Sequence, residues 1–342
     1  MILGRDIGVD LGTTSVLLST RGKGVILREP AVVAMDKNSG NLLNVGMAAQ
    51  RMLGRTPGNI VAIKPMHQGA ISDYDMTERM LREFVRKALS FSMIKPRIII
   101  SVPSGLTEVE ERAVIDAGVA AGARKVYLME APLAAAIGAG LDIAKPDGHM
   151  VIDVGGGTTD IAVLSLNGVV ESESLKDGGD AFDNALVKYI KSKHNVLIGE
   201  NTAEELKKSI GCVYRRPESI AVEVKGRCML TGLPRIVAIS SDDVHDAFED
   251  VIERIVEAVH SVLEVTPPEL VADISQNGIV LTGGCSNLWG FEKLIASRTS
   301  ITTYKADDAD LCVANGLGKA LNWVGDMTDG TINLARKRQM RV

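Results

Sequence analysis

The sequence predicts an α/β protein built as two similar lobes. A glycine-rich segment occurs twice, as Ile7–Leu18 (IGVDLGTTSVLL) near the start and as Val151–Val163 (VIDVGGGTTDIAV) near the middle of the chain. Segments with strand and helix periodicity alternate along the rest of the sequence. The length of 342 residues also provides for two domains with separate cores. A duplicated fold, with the two glycine-rich segments facing each other across a cleft, accounts for all three observations.

Each glycine-rich segment predicts a strand, a tight turn and a returning strand. Glycines allow backbone N–H groups to approach an anion without a Cβ in the way, and the threonines that follow add hydroxyl donors. Asp10 and Asp153 end the first strand of each copy, where a carboxylate can hold hydrated Mg²⁺ beside phosphates. An ordinary glycine-rich hairpin is the alternative for a single copy, but the duplication favours a nucleotide site.

Composition excludes several classes of protein. The apolar share of 46% and the charged share of 24% are typical of a soluble globular protein. A net charge of −5 gives no electrostatic reason to expect a nucleic-acid partner, and the one basic block, Ala335–Arg341, is either a solvated end or a weak contact for anionic lipid. The four cysteines lack metal-like spacing, which fits a reducing cytosol. We expect neither a signal peptide nor a spanning helix, because no apolar run reaches 18 residues.

In the first half, predicted strands and helices alternate. The strands are expected in 24–35, 96–102 and 125–129, and the helices in 45–52, from 75, from 107 to 122 and in 134–141. Asp75 has Glu78 three residues later, and Thr107 has Glu110, which is the spacing of a capping box. The apolar faces of these two helices are expected to be Met76, Met80, Phe84 and Ala88, and Val109, Ala113, Ala117 and Ala120.

The second half follows a predicted boundary at Lys145–Gly148, where proline and glycine interrupt any helix. Helices are expected in 180–192, 202–210, 241–266 and 312–323, and strands in 219–227, 235–240 and 278–282. Ser241 is expected to cap the long helix, which ends before Pro267. The predicted division is therefore lobe I (1–145), lobe II (146–325) and a basic tail (326–342).

Two further signals lie in the second half. Leu281–Leu288 (LTGGCSNL) follows a strand, and its bare glycine backbone can pass beside a base, a sugar or a phosphate. Glu204 and Lys207 are three residues apart on one helix face. They are either a solvated surface pair, which the spacing alone favours, or contacts for a ribose or a base edge.

These motifs, in this order, resemble the actin and DnaK-type ATPase superfamily, and within it the bacterial actin homologues of the MreB/Mbl family. The motifs are DLGT, VPSGLTEVEERA, PLAAAIGAG, DVGGGTTD, TAEELK and LTGG. The segments GRTPGNIVAIKP (54–65) and EVTPPEL (264–270) are similar to that family in particular. The resemblance runs from Arg5 to about Val324. It implies an actin-like fold, with two lobes on duplicated ribonuclease-H-like cores and a nucleotide cleft between them.

The resemblance also implies that ATP and Mg²⁺ bind in that cleft. The expected phosphate contacts are Thr13, Thr14, Ser15, Gly155, Gly156, Gly157 and Thr158. The expected contacts on the adenosine side are Glu204, Glu205, Lys207, Gly283, Gly284, Cys285 and Ser286. Asp10 and Asp153, supported by Asp160, are expected to hold the waters bound to Mg²⁺.

The family resemblance further implies a cytoskeletal function in the bacterial cytoplasm. Such proteins are expected to polymerise head to tail, here as paired protofilaments, on the inner face of the cell membrane. The filaments would guide cell-wall synthesis and elongation, and so determine cell shape. No nucleic-acid partner is expected.

The sequence departs from the family pattern in three places. Thr14-Ser15 stands where the family usually has Ala-Asn, and Cys285 stands where a third glycine is usual. Ala131 stands where the family has the glutamate that positions the attacking water, and a methyl group can neither orient nor deprotonate water. The resemblance therefore predicts retained ATP binding with weak hydrolysis. The alternative is that Glu130, one residue earlier, replaces the missing carboxylate after a local shift.

One segment predicts membrane contact. Leu89–Lys95 (LSFSMIK) offers Phe91, Met93 and Ile94 in a loop, and similar proteins insert an apolar loop at this place into the bilayer. The basic residues that follow are suited to lipid headgroups. The alternative is that these side chains pack against their own lobe.

Three other functions share the two-hairpin architecture. A sugar or acetate kinase needs a further carboxylate as catalytic base, and none stands out. A chaperone ATPase needs a peptide-binding domain, for which the residues after the last predicted helix leave no room. A non-polymerising actin-like adaptor usually carries a C-terminal amphipathic helix, and Gly330–Val342 is too short and too basic for one.

Overall fold

The computed structural model describes residues 6–89 and 94–323. The strands are β1 Ile7–Leu11, β2 Ser15–Thr20, β3 Gly24–Pro30, β4 Val33–Asp36, β5 Leu42–Val45, β6 Ile60–Ile63, β7 Met66–His67, β8 Ala70–Ile71, β9 Arg97–Val102, β10 Lys125–Glu130, β11 His149–Val154, β12 Thr159–Ser165, β13 Gly168–Leu175, β14 Val196–Leu197, β15 Ala221–Cys228, β16 Pro234–Ser240, β17 Ile279–Thr282 and β18 Thr303–Lys305. The helices are α1 Met47–Gln50, α2 Tyr74–Leu89, α3 Glu108–Ala120, α4 Ala131–Ala139, α5 Gly179–His194, α6 Glu200–Ile210, α7 Ser241–Val265, α8 Pro268–Asn277, α9 Phe291–Thr299 and α10 Cys312–Ala320, with 3₁₀ turns at Gly284–Asn287 and Ala309–Leu311.

Two five-stranded sheets with the same topology form the frame of the molecule. The first has the strand order β3-β2-β1-β9-β10 and the second the order β13-β12-β11-β17-β18. In each sheet the first three strands are antiparallel neighbours along the chain, and the last two are parallel to the central strand. The duplication predicted from the two glycine-rich segments is therefore present in the fold, with one copy of the segment at the centre of each sheet.

Each sheet has its own apolar core, and a third core joins the two. The first core packs α2 and α3 on the first sheet, and the second packs α5, α6 and α7 on the second sheet. The third contains α4 and α10, together with residues from both sheets such as Ile99 and Val151. Because apolar residues of both sheets pack against this helix pair, the pair connects the two halves of the molecule.

Helices α4 and α10 cross with their backbones in direct contact. A Cβ added at Gly138 would lie 1.8 Å from the carbonyl oxygen of Cys312, and one at Gly316 would lie 1.8 Å from that of Ala134. Only glycine permits this approach. The small residues predicted for close packing in 134–141 therefore serve the contact between the two halves.

Helix α10 packs on the sheet of the first half, although the predicted division places it in lobe II. A Cβ at Gly8 in β1 would lie 2.6 Å from the Cβ of Leu317, so α10 packs on the first sheet although it lies in the range 146–325. The boundary at Lys145–Gly148 falls between α4 and β11. The division into 1–145 and 146–325 stays a prediction. The packing of α10 differs from it, because this helix belongs to the second range but lies on the first sheet. The tail 326–342 lies outside the described residues.

Two predicted helix caps were wrong by one or two residues. Asp73, not Asp75, caps α2, because its Oδ1 accepts a hydrogen bond from the backbone N–H of Met76. Ser240, not Ser241, caps α7, in a capping box with Asp243. In both places adjacent residues have capping side chains, and the sequence alone does not decide between them.

The capping box of α3 was predicted correctly, but the buried face of this helix was not. Thr107 and Glu110 exchange hydrogen bonds between side chain and backbone as expected. The buried residues are Val114, Ala117 and Gly118, whereas Val109 is 78% exposed. The helix itself contains several small residues, so its apolar pattern marks the core weakly. Within residues 6–89 and 94–323, no helix is both long and apolar enough to cross a bilayer.

Candidate functional site

The two glycine-rich turns meet face to face at one cleft. A Cβ added at Gly156 would lie 2.0 Å from the Oγ1 of Thr14, and one at Gly157 would lie 2.1 Å from the Oγ1 of Thr13. The cleft has a volume of about 780 Å³, and both turns line it. The two hairpins predicted to face each other therefore do so, and glycine is required at this contact.

Backbone hydrogen bonds close each turn tightly. The N–H of Gly12 donates to the carbonyl of Ser15 at 3.1 Å, and the N–H of Gly155 donates to the carbonyl of Thr158 at 2.8 Å. The N–H of Gly69 donates to the Oγ1 of Thr13 at 3.0 Å, which fixes that hydroxyl in place. The two short hairpins present bare backbone and threonine hydroxyls to the cleft, and their role as phosphate contacts stays a prediction.

Two carboxylates lie at the base of the cleft, Asp10 half-buried and Asp153 buried. Asp10 accepts a hydrogen bond from the Oγ of Ser101 at 2.8 Å, and Asp153 accepts one from the Oγ1 of Thr282 at 2.8 Å. Burial raises the pKa of Asp10 to about 6. Burial, with the negative charge of Asp160, raises the pKa of Asp153 to about 7. A bound cation would stabilise the ionised form of both groups.

Asp160 has a different environment from the other two carboxylates. It lies opposite Asp153 in the antiparallel pair β11–β12. Its Oδ1 accepts a hydrogen bond from the N–H of Ser104 at 3.1 Å, and its Oδ2 accepts one from the Oγ1 of Thr158 at 2.9 Å. Across the described ranges, no three acidic, histidine or cysteine side chains lie close enough together to hold a metal ion. The three described aspartates therefore do not form a joint ligand set for one ion, and their contact with metal-bound waters stays a prediction.

On the side of α6, the predicted contacts do not all face the cleft. Lys207 is buried, and its Nζ donates to the Oδ2 of Asp183 at 2.7 Å and to the carbonyl of Gly179 at 2.9 Å. Glu204 forms an ion pair with Lys208 at 2.6 Å, and both line the cleft. Glu205 is exposed and does not line it. Asp183 was missed by sequence reasoning, because its partner is on another helix 24 residues away.

The third glycine signal forms the opposite wall on this side. Gly283, Gly284 and Cys285 line the cleft, and burial raises the pKa of the Cys285 thiol to about 11, so the thiol is neutral. Ser286 is buried and donates to the carbonyl of Gly283 at 2.6 Å, so it shapes the turn and does not line the cleft. The prediction of Ser286 and Glu205 as contacts does not agree with their orientation here.

Two ion pairs join the halves across the cleft. Arg28 in β3 pairs with Asp310 at 2.7 Å, and Lys64 after β6 pairs with Asp180 in α5 at 3.0 Å. Both pairs are partly exposed, so each contributes roughly 1 kcal/mol or less to stability. Sequence reasoning missed both, since no local pattern connects residues more than 100 positions apart.

Comparison with known proteins identifies the family. A model of the MreB/Mbl protein family matches residues 4–329. This chain belongs to the MreB/Mbl family. It is 46% identical to the cell shape-determining protein Mbl of Bacillus subtilis (strain 168) over 319 residues, covering 93% of this chain and 96% of Mbl. It is 45% identical to the cell shape-determining protein MreB of Escherichia coli (strain K12) over 333 residues, covering 96% of each chain.

Solved structures show the same actin-like fold. MreB5 of Spiroplasma citri, in crystal structures bound to ADP and to AMPPNP, superposes with a TM-score of 0.89 at 34% identity, covering 94% of this chain and 97% of MreB5. A MamK double helical filament superposes with a TM-score of 0.80 at 20% identity, covering 95% of this chain and 99% of MamK. The predicted family and fold class are therefore confirmed.

An alanine lines the cleft at the position where the family resemblance implies a glutamate. Ala131 begins α4 and lines the cleft, whereas Glu130, the last residue of β10, does not. The Oε2 of Glu130 accepts a hydrogen bond from the Oγ of Ser104 at 2.9 Å, and burial raises its pKa. In this MreB/Mbl chain, therefore, Glu130 is held away from the position that Ala131 occupies.

The predicted membrane segment falls mostly outside the described residues. Phe91 and Met93 lie in the range 90–93, which the structure does not describe. Ile94 is 41% exposed at the edge of that range. The assignment of this segment to the bilayer stays a prediction.

The raised pKa of Asp153 predicts a pH-dependent stability. The usual pKa of 3.8 becomes about 7 in the fold, so the folded state holds this proton more tightly than the unfolded chain. The resulting stabilisation is complete below about pH 4 and is lost as the pH rises through about 7. Asp153→Asn, which removes the titration, should therefore gain stability relative to the parent between pH 4 and pH 8. Urea denaturation without Mg²⁺ or nucleotide measures this difference.

Val109→Thr, at an exposed position of α3 that has no titrating group, is the matched control for that experiment. Its stability difference from the parent should stay nearly constant over the same pH range. If the stability difference between Asp153→Asn and the parent is equally constant over this pH range, the assignment of a raised pKa to Asp153 is wrong.

Proposed function

We propose that this chain is an ATP-binding, actin-like cytoskeletal protein that polymerises on the inner face of the bacterial cell membrane and helps to determine cell shape. The observation that carries the proposal is the contact of the two glycine turns, where Gly156 and Gly157 leave no room for a Cβ beside Thr14 and Thr13. Two phosphate cradles that share one cleft fit a single nucleotide whose phosphates contact both halves.

The relatives support the nucleotide-binding, self-association and cell-shape parts of this proposal. MreB5, at 34% identity, has been crystallised with ADP and with AMPPNP. MamK, which shares the fold, forms a double helical filament. Mbl and MreB, at 46% and 45% identity, are cell shape-determining proteins. We infer that this chain has nucleotide binding, self-association and a role in cell shape in common with them. We propose in addition that it acts in the cytoplasm and directs cell-wall elongation.

The residues present fit ATP and Mg²⁺. Thr13, Thr14 and Ser15 in one turn and Gly155–Thr158 in the other offer N–H and hydroxyl donors to phosphate oxygens. Asp10 and Asp153 are suited to accept hydrogen bonds from metal-bound water, and a nearby cation would lower their raised pKa values and so favour the ionised form. Bound Mg²⁺ supplies charge neutralisation at the phosphates.

Hydrolysis in this chain is proposed to be weak. A residue that orients the attacking water has to lie beside the terminal phosphate and accept a hydrogen bond from that water. Ala131 lines the cleft without an acceptor, and Ser104 holds the carboxyl of Glu130 elsewhere. The arrangement is suited to long-lived ATP binding, since the protein provides little help for the chemical step.

Restoring the carboxylate should restore hydrolysis. Ala131→Glu is expected to raise the rate of phosphate release from Mg-ATP by roughly 10²-fold or more, the usual contribution of general acid–base catalysis. The parent should remain near the background rate, with liposomes present and ATP binding unchanged. Phosphate release and an equilibrium ATP titration on the same samples measure both quantities.

Ala131→Leu is the matched control, because leucine has nearly the size of glutamate but no hydrogen-bond acceptor. It should bind ATP and remain slow. If the parent already turns over as fast as Ala131→Glu, another group positions the water, and the proposed role of position 131 is wrong. Glu130→Gln would then be the next variant to measure.

Membrane association is proposed to depend on the segment that contains Phe91, Met93 and Ile94. A few exposed apolar side chains next to basic residues are enough for reversible binding to an anionic surface. Replacing Phe91 and Ile94 by serine should therefore abolish flotation of the protein with anionic liposomes. The matched control replaces Val109 and Val265, which are 78% and 63% exposed, by serine. Flotation that survives the first double substitution, or that is lost equally in the control, would contradict the assignment.

A further inference from the structure

An arginine and a tryptophan stack at one end of the cleft. The guanidinium carbon of Arg216 lies 5.0 Å from the centre of the Trp289 ring, and the Nζ of Lys293 lies 5.0 Å from the same centre. Both Arg216 and Trp289 line the cleft. Arg216 and Trp289 lie outside the motifs that predict the nucleotide site.

This stack lies at the end of two segments that lead away from the second glycine turn. On one side, Gly179 is hydrogen-bonded to the second glycine turn, and Lys207 in α6 donates to the carbonyl of Gly179. The chain then continues from α6 through Gly211 to Arg216. On the other side, a Cβ at Gly283 would lie 2.4 Å from the carbonyl of Val154, and the chain then proceeds through the 3₁₀ turn to Trp289. A nucleotide whose phosphates lie in the turns would therefore direct its base toward Arg216 and Trp289.

The two segments are fixed to each other by their backbones. The N–H of Val213 donates to the carbonyl of Trp289 at 3.0 Å, and the N–H of Trp289 donates to the carbonyl of Gly211 at 3.3 Å. A Cβ at Gly290 would lie 2.5 Å from the Cβ of Tyr214, so the segments also pack closely. The position of the Arg216 side chain is thus prepared before any ligand binds.

Arg216 has donor capacity that the protein does not use. Its Nη2 donates to the carbonyl of Gly211 at 3.4 Å, a long bond, and its Nε is buried without a hydrogen-bond partner among the described residues. The neighbouring thiol of Cys212 is at best a weak acceptor. A buried donor without an acceptor costs free energy, which a ligand acceptor would recover. Arg215, by contrast, points outward and pairs with Asp246 at 2.8 Å.

We propose that Arg216, stacked on Trp289, is a specificity-determining residue that contacts the purine base of the bound nucleotide. This inference rests on the proposed nucleotide site and adds the residue that recognises the base. Purine ring nitrogens present acceptors along the edge of the base, and arginine donates to such acceptors with a planar set of N–H groups. The guanidinium face can also lie against an aromatic ring while its edge donates.

Competition against a fluorescent ATP analogue with a methylanthraniloyl group on the ribose tests this contact. Unlabelled ATP and inorganic tripolyphosphate are the competitors, with Mg²⁺ present. Arg216→Ala should weaken ATP binding roughly tenfold or more, the usual effect of losing a charged hydrogen bond. Its affinity for tripolyphosphate should stay at the parental value, because tripolyphosphate has no base. Arg216→Lys, which keeps the charge and loses the planar group, should remain weak.

Arg215→Ala is the matched control, and it should change neither affinity. Equal ATP affinities for Arg216→Ala and Arg215→Ala would overturn the inference and leave the proposed function intact. An equal loss of ATP and tripolyphosphate binding in Arg216→Ala would also overturn it, since the residue would then act on the phosphates or on the fold. If the parent binds neither competitor, the proposed function itself is wrong, and this inference with it.

Discussion

The contact between the two glycine turns is the constraint on which the rest of the structure depends. Gly156 and Gly157 lie against Thr14 and Thr13 so closely that no side chain fits at either glycine. This approach requires both sheets to present their central strand pairs to the same cleft, which the repeated strand order provides. It also requires a close connection behind the cleft, and the crossing of α4 and α10 at Gly138 supplies it. Two sets of glycines, in front of and behind the cleft, therefore fix the distance between the halves.

The raised pKa values of the carboxylates in the cleft follow from the close approach of the two halves. Asp10 and Asp153 lie at the ends of equivalent strands, and desolvation raises their pKa values to about 6 and 7. Ion pairs such as Arg28–Asp310 and Lys64–Asp180 hold the rim of the cleft but do not neutralise its base. A site of this kind favours an anion with its own divalent cation. In the proposed function, the absence of a carboxylate at Ala131 would separate nucleotide binding from hydrolysis.

Local sequence patterns predicted the parts of the fold that depend on local interactions. The two hairpins, the buried strands and the small-residue helix α4 were predicted because glycine spacing and apolar runs report them directly. The caps Asp73 and Ser240 were missed because neighbouring residues have the same capping ability. Pairs such as Lys207–Asp183, and the stack of Arg216 on Trp289, depend on which elements become neighbours in space. Glu205 and Ser286 belong to motifs that face the cleft, but helix and turn geometry directs their side chains elsewhere.

Electron microscopy of the protein with Mg-ATP and with liposomes is the most direct test of the central claim, that the paired turns form a nucleotide site that supports polymerisation. The parent should form long filaments, and Gly58→Ala, where an added Cβ meets no atom within 4 Å, should do the same. Gly156→Val should remain folded by circular dichroism but form none, because its side chain would occupy the space of Thr14. Discrete monomers for the parent, or filaments that persist in Gly156→Val, would contradict the account.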